Sequence, residues 1–371
     1  MIKVLNILSD SNIGGAGRLL VNYLRNFDRE KFDVAVVLPK DSDLKPCVED
    51  TGFCVFEIEH GRDKSFDMKA VGEVMAVIRD WKPDVVHTHS SFYGKLAAFL
   101  CGTKSRFYTR HSAFPQPKRL TSFPGKQING FINGLLSTDI VAVAEAAKKN
   151  LTDTGVKDSK ITVIINGVDE VRHTTDVEQK ELKKTLGIGK ETFVCGISAR
   201  LEEYKGHRYL LEAAKIVSET HPDTVYLIIG GGTCENELKE LARTLEISDK
   251  VIFTGFVDDV APYYNIMDLN INCSTGTETS SLALSEGFSL SVPAVASTYG
   301  GNPYMVTDGV NGFLVPERDP ASLAEKIKLL IEDRGLLDRL SVGAREMYEK
   351  KFTAAVMTRQ LEALYEKSVN R

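Results

Sequence analysis

The sequence has no run approaching the roughly 18 consecutive apolar residues that a membrane-spanning helix needs, so any membrane contact is expected to be peripheral. Its six cysteines, Cys47, Cys54, Cys101, Cys195, Cys234 and Cys273, form no C-x-x-C pair and no metal-ligand spacing. Several sit in apolar runs, which reads as buried, reduced thiols in a cytosolic protein and not as a disulfide framework. A net charge of −5 lacks the excess of basic residues that a general nucleic-acid binder needs. No short period repeats along the chain, which excludes a solenoid, and no low-complexity tract occurs. The opening MIKVLNIL has no leader character: its apolar run stops after Leu8 and no small-residue cleavage site follows, so it reads as a first buried strand.

What is present is an alternation of short β-rich runs with amphipathic helical patterns. The strand candidates are 2–8, 33–39, 54–58, 84–89, 106–111, 140–144 and 161–165, with helices after Gly17, from Asp67 to Asp80 and from Phe92 to Leu100. The pattern pauses at NGVD (166–169) and at a charged stretch, DVEQKELKKTLGI. It restarts with strands at 193–198, 225–232, 251–256, 269–274 and 293–297, and helices from His207, Glu235 and Ser281. A last helical block runs from Pro320. The expected fold class is α/β, two doubly wound Rossmann-like domains facing a cleft and joined near residues 170–190. The domains are read as 1–170, 171–350 and a closing segment, 351–371.

Open α/β sheets bind ligands at the carboxyl ends of their strands, and the chemically distinctive residues fall there. Glu278 opens a loop after the 269–274 strand, followed by Thr279, Ser280 and Ser281 at a helix start, with Glu286 eight positions on. Free backbone N–H groups and the positive end of a helix suit a diphosphate, and a carboxylate such as Glu286 can accept two ribose hydroxyls. The same residues also suit a plain N-capped helix with exposed glutamates. Arg200 and Lys205 follow the 193–198 strand; two fixed cations there neutralise charge on a leaving diphosphate in place of a metal, or are only surface charges. Loss of either is expected to cut turnover with little change in stability.

Gly14 and Gly15 lie in IGGAGR after the first strand. Leu20 takes the third glycine position of a dinucleotide fingerprint and no acid ends the second strand, so these glycines read as a close backbone approach to another ligand or as a plain turn. His111 is the candidate polar group of the first domain. His87 and His89 alternate on a strand without a Cys or further His nearby, which does not make a zinc site. Between Val85 and Thr138 there is no Asp or Glu, while basic residues mix with Phe114, Phe123 and Phe131. Such a stretch suits an anionic membrane surface or a lipid-linked acceptor, or is a solvated long loop before a core helix.

Taken in order, IGGAGR, DVVHTHS, TRHS, NGVD, ISARLEEYKG, LIIGGG, FTGFVDDV, the E-x7-E run and STYGGNPYMVTDGVNGFLVP resemble the retaining glycosyltransferases of the GT-B fold, family 4. The likeness covers nearly the whole chain. It implies that Arg200 and Lys205 hold the donor diphosphate, Glu286 the ribose, and the backbone of Gly255, Phe256 and Val257 the base. It places Glu278 and His111 beside the transferred sugar, with Gly14 and Gly15 on the phosphate or acceptor side. It implies that the final helix, around 352–368, returns to the first domain. Tyr304 stands where the family commonly has an acid after its G-G-x-P proline.

No carboxylate pair is spaced as nucleophile and acid. The resemblance implies transfer of a hexosyl group from a nucleotide-diphosphate sugar, UDP-sugar on family grounds, held by the 171–350 domain, to an acceptor held by the 1–170 domain, with retention and without metal or other cofactor; front-face displacement is the expected route, because such a donor already carries a good leaving group. The expected acceptor is a glycan or lipid-linked molecule in bacterial surface polysaccharide or glycolipid synthesis. The expected place is the cytoplasm, with a peripheral position on the membrane's cytoplasmic face. Two other readings remain: a sugar-nucleotide epimerase of the same fold, and a silent nucleotide-sugar-binding partner subunit.

Overall fold

The computed structural model describes residues 1–89 and 91–371. They divide into two compact units, 1–168 with 354–371, and 169–353.

The first unit holds a seven-stranded parallel sheet in the order β3-β2-β1-β4-β5-β6-β7. The strands are β1 Ile2–Leu8, β2 Phe32–Pro39, β3 Cys54–Ile58, β4 Val85–His89, β5 Ser105–Arg110, β6 Asp139–Ala142 and β7 Ile161–Val163. Side chains alternate across the sheet. Val34, Val36 and Leu38 enter one core, with Met357, Leu361 and Tyr365 of the final helix. Ala35 and Val37 enter the other, with Val71, Val74 and Ile78 of the Met68–Trp81 helix. Covering both faces is why these strands read as almost unbroken apolar runs.

The second unit repeats the plan with six parallel strands ordered β10-β9-β8-β11-β12-β13. These are β8 Phe193–Ser198, β9 Thr224–Ile229, β10 Val251–Gly255, β11 Leu269–Asn272, β12 Ala294–Ser297 and β13 Gly312–Val315. Phe193, Cys195 and Ile197 face one core and Val194 the other.

Several sequence expectations shift. The charged stretch is a helix, Asp176–Thr185, opened by a capping box in which Thr175 and Glu178 satisfy each other's backbone N–H groups. The first helix starts at Gly15, not after Gly17. His111 lies one residue beyond β5. The 225–232 and 269–274 runs stop at Ile229 and Asn272, where the chain turns into loops. All six cysteines are unpaired, yet only Cys195 and Cys273 are buried; Cys54 is exposed because β3 is a sheet edge. Beyond the Phe92–Leu100 helix, the acid-free stretch carries two further helices, Lys118–Thr121 and Gly125–Leu136, and so is not one long loop.

The final helix, Ala354–Val369, packs within the first unit. Ala354 N–H donates to Val168 O at 2.9 Å, and Asp28 N–H donates to the Glu362 carboxylate at 2.7 Å. Among the described residues no helix is long and apolar enough to cross a membrane.

Candidate active site

In each sheet the strand order reverses once, between β1 and β4 and between β8 and β11. Helices leave to opposite faces at such a point, so the loops beyond the strand ends open a crevice. In the second unit those are the loop after β8, carrying Arg200 and Lys205, and the loop after β11, carrying Glu278.

The fold brings Lys205 and Glu278 together. Lys205 Nζ lies 2.9 Å from Glu278 Oε2, and the carboxylate is only 6% exposed. Ser274 Oγ donates to the same oxygen at 2.8 Å and Asn272 Nδ2 at 3.3 Å. Every hydrogen bond of this carboxylate among the described residues falls on Oε2, which leaves Oε1 as its open acceptor. Burial alone would raise the carboxyl's pKa; the Lys205 charge and these donors outweigh it and hold Glu278 below its usual value of 4.5. Glu278 is thus an ionised acceptor at neutral pH.

Sequence reasoning missed the polar network under this loop. Asn272 Oδ1 accepts from Ser274 N–H at 3.1 Å and from Asn302 Nδ2 at 3.4 Å. Asn302 also donates to Ser297 Oγ at 3.2 Å, and Ser297 Oγ donates to Ser274 O at 2.6 Å. Gly301 packs so tightly that a Cβ there would lie 1.3 Å from Thr279 O. The G-G-N-P segment therefore props the Glu278 loop from behind. The available signal was Asn270 and Asn272 alternating inside an otherwise apolar parallel strand, which demands buried partners.

Thr279, Ser280 and Ser281 are buried, and Ser281 caps the Leu282–Ser289 helix by accepting from Leu284 N–H. Glu286 lies one turn into that helix, and its Oε2 accepts from Tyr264 OH at 3.1 Å. Gly255 carries φ +69°, and its carbonyl accepts from Gly230 N–H at 2.9 Å; Phe256 beside it is 72% exposed, while Val257 packs on the core. Arg200 is exposed, and among the described residues its side chain makes no hydrogen bond or ion pair. Tyr304 is also exposed.

In the first unit Gly14 is the N-cap of the Gly15–Asn26 helix, and a Cβ at Gly15 would meet nothing within 4 Å. Neither takes a positive φ, so the fold itself does not require glycine at 15. His111 stacks on His89, ring centroids 5.2 Å apart, with its Nε2 3.0 Å from His89 Nδ1. His89 Nε2 meets Asn6 Oδ1 at 3.2 Å. With the Asn6 carbonyl accepting, a neutral His89 must accept at Nδ1, so His111 Nε2 carries the proton. Burial, then the Arg110 charge, pushes His111 down to about 4, which keeps it neutral. His87 is engaged by Tyr365 OH and by Thr109 Oγ1, the latter at 2.6 Å. The ring nitrogens of His87 and His89 are thus committed to protein partners. No group of three or more His, Cys, Asp or Glu able to hold a metal occurs among the described residues.

Two parallel doubly wound units, one carrying a buried carboxylate–ammonium pair and a second cation at its switch point, define a two-domain Rossmann-like protein. Residues 178–347 match the family "Glycosyl transferases group 1" and residues 13–172 match "Glycosyltransferase Family 4". An Escherichia coli UDP-Gal:alpha-D-GlcNAc-diphosphoundecaprenol alpha-1,3-galactosyltransferase is 26% identical, over 98% of this chain and 96% of that protein. The Staphylococcus aureus capsular polysaccharide biosynthesis glycosyltransferase CapM is also 26% identical, over 81% and 80%. The crystal structure of Anabaena Alr3699/HepE in complex with UDP superposes with a TM-score of 0.85 at 21% identity, covering 99% of this chain and 100% of that one. The chain belongs to the GT-B glycosyltransferases of family 4.

Proposed function

We propose that this glycosyltransferase moves a hexosyl group from a UDP-sugar to a glycan or lipid-linked acceptor, with retention and without a metal, at the cytoplasmic face of a bacterial membrane. The observation that carries the reading is the Lys205–Glu278 pair at the β8/β11 switch point, with Arg200 exposed on the same loop. The E. coli relative's named acceptor is lipid-linked and its named product α-linked, and the Anabaena neighbour holds UDP; both support it.

Each group has a role its geometry suits. The Lys205 ammonium has three donors; one meets Glu278, and the others can face a diphosphate. Arg200 adds a charge-assisted fork to the same phosphates. Together they stabilise charge that grows as the diphosphate leaves. Thr279, Ser280 and Ser281 present a helix start to that anion. Glu278, ionised and open at Oε1, orients a sugar hydroxyl and does not attack. Neutral His111 and the Gly14–Gly15 backbone serve the acceptor side, and Gly255, Phe256 and Val257 the base. The leaving phosphate helps to take the acceptor's proton.

The test incubates the full chain with UDP-hexoses, with and without acceptor, and determines the anomeric configuration of the product. UDP released only with acceptor, an α product from an α donor and full rate in EDTA are expected. An inverted product, metal-reversible loss of transfer, or conversion of the donor without acceptor would each overturn the corresponding part. Glu286→Ala is expected to raise the donor KM about tenfold with little change in kcat, because a ribose contact is equal in ground and transition states. A collapse of kcat at unchanged KM would move Glu286 to the reacting sugar.

A further inference from the structure

Asn6 is out of character with its strand. Val4, Asn6 and Leu8 alternate onto one side of β1, and Val4 and Leu8 enter the core that the final helix covers. Asn6 lies between them at 1% exposure. Its Nδ2 has no partner among the described residues. A buried amide donor without a partner costs stability, and leucine, with the same branched shape, would carry no such cost in this core. Folding therefore gives no reason for an asparagine here. The reason lies with its other polar atom.

Asn6 Oδ1 meets His89 Nε2 at 3.2 Å. His89 holds a single ring proton at neutral pH, because burial, then the charges that His87 and His111 would carry, push it well below 6.5. An imidazole with one proton donates at one nitrogen and accepts at the other. Donation from Nε2 to Asn6 leaves His89 Nδ1 to accept, and its partner at 3.0 Å is His111 Nε2, which must then donate.

Among the described residues no other group makes this choice for His89. His87 stacks on it with ring centroids 4.4 Å apart, but the two nitrogens of His87 are engaged by Tyr365 OH and Thr109 Oγ1. The three imidazoles form one column, with interplanar angles of 28° and 25°. His111 stands at its end, one residue beyond β5. The column fixes the planes of the rings. Asn6 fixes the direction of the hydrogen bonds that run along their edges.

We propose that Asn6 is a positioning residue for transfer: through His89 it sets which nitrogen of His111 carries the proton and holds that ring as the acceptor side requires. The inference rests on the reading of His111 as an acceptor-side group. The test labels the histidines of the full chain with nitrogen-15 and reads their ring nitrogens by NMR, with His89 and His111 assigned from variants that lack each. In wild type the His111 proton should sit on Nε2. Asn6→Leu removes the acceptor that holds the His89 proton on Nε2, so the His111 proton should shift to Nδ1 in a large part of the molecules. That variant should unfold in urea no earlier than wild type and should be stabilised equally by UDP. Its acceptor-dependent transfer should fall at least about tenfold, through kcat and the acceptor KM, with the donor KM unchanged. Asn6→Ala, which cannot clash, should show the same ring shift and serves if leucine disturbs the strand. In a His111→Ala background, Asn6→Leu should cost less than about a further twofold, because the ring it positions is gone. A wild-type His111 proton on Nδ1 overturns the proposal, as does a proton that stays on Nε2 in both Asn6 variants, or an Asn6→Leu loss that persists in full without His111. Full transfer in His111→Ala would instead overturn the acceptor-side reading and the loss of rate expected from it, while the ring signals would still decide whether Asn6 sets the proton.

Discussion

Lys205→Ala is expected to lower transfer at least about 10²-fold, the scale of losing one preorganised charge-stabilising group, and also to destabilise the second unit by about 3 kcal/mol. The second effect corrects the expectation from sequence that stability would change little. Lys205 is the cation that offsets a carboxylate buried to 6% exposure. Removing one partner of such a pair leaves the other buried and uncompensated. The pH dependence has a definite sign. In wild type the folded-state pKa of Glu278 lies below its usual value, so the pair's stabilisation is full above the unfolded pKa and is lost as pH falls through the folded one. Without Lys205, burial dominates and the folded pKa rises above the unfolded one. The variant's deficit is then full at neutral pH and shrinks as pH falls through the raised folded pKa to the unfolded value. Urea unfolding of both proteins across pH checks this. Adding Glu278→Gln to Lys205→Ala should recover most of the stability and none of the transfer. An unfolding midpoint unchanged in Lys205→Ala at neutral pH would mean that Glu278 is not held by this lysine.

The doubly wound plan was legible because strands covered on both faces leave a plain signal: Val34 to Leu38 are apolar without a gap. The loops that carry the candidate site were legible as loops too, because Arg200, Lys205 and Glu278 all follow apolar runs. Their pairing was not. Lys205 and Glu278 are 73 residues apart, and only the order of the strands, with β8 beside β11, makes them neighbours. Spacing therefore suggested a lysine free for phosphate, where the fold first uses it on a carboxylate. The supporting network was hidden for a related reason: Asn302, Ser297 and Asn272 come from three elements, and each alone reads as a turn or strand-end residue. The Gly125–Leu136 helix was obscured by its glycines and asparagines, which suggest a loop, whereas Gly130 packs against Gly155 O and Asn129 Nδ2 donates to Thr154 O.

Arg200→Ala should separate catalysis from folding where Lys205→Ala joins them. Arg200 sits on the same loop, five residues earlier, but is exposed, and its side chain has no partner among the described residues. Its removal should leave stability within about 0.5 kcal/mol of wild type. On the proposed diphosphate role, transfer should nevertheless fall at least about 10²-fold, because the guanidinium would act on charge that develops as the diphosphate departs. That charge is larger in the transition state than in the bound donor, so the loss should appear mainly in kcat and less in the donor KM. Arg200→Lys keeps a cation and loses the planar fork that matches phosphate oxygens, and should recover only part of the rate. Steady-state kinetics with a UDP-hexose, read beside urea midpoints for Arg200→Ala and Lys205→Ala, distinguish the two cations. Full turnover in Arg200→Ala would remove Arg200 from the diphosphate site. A midpoint lowered as far as that of Lys205→Ala would show that Arg200 also carries a structural contact, and its rate loss would then no longer measure catalysis alone.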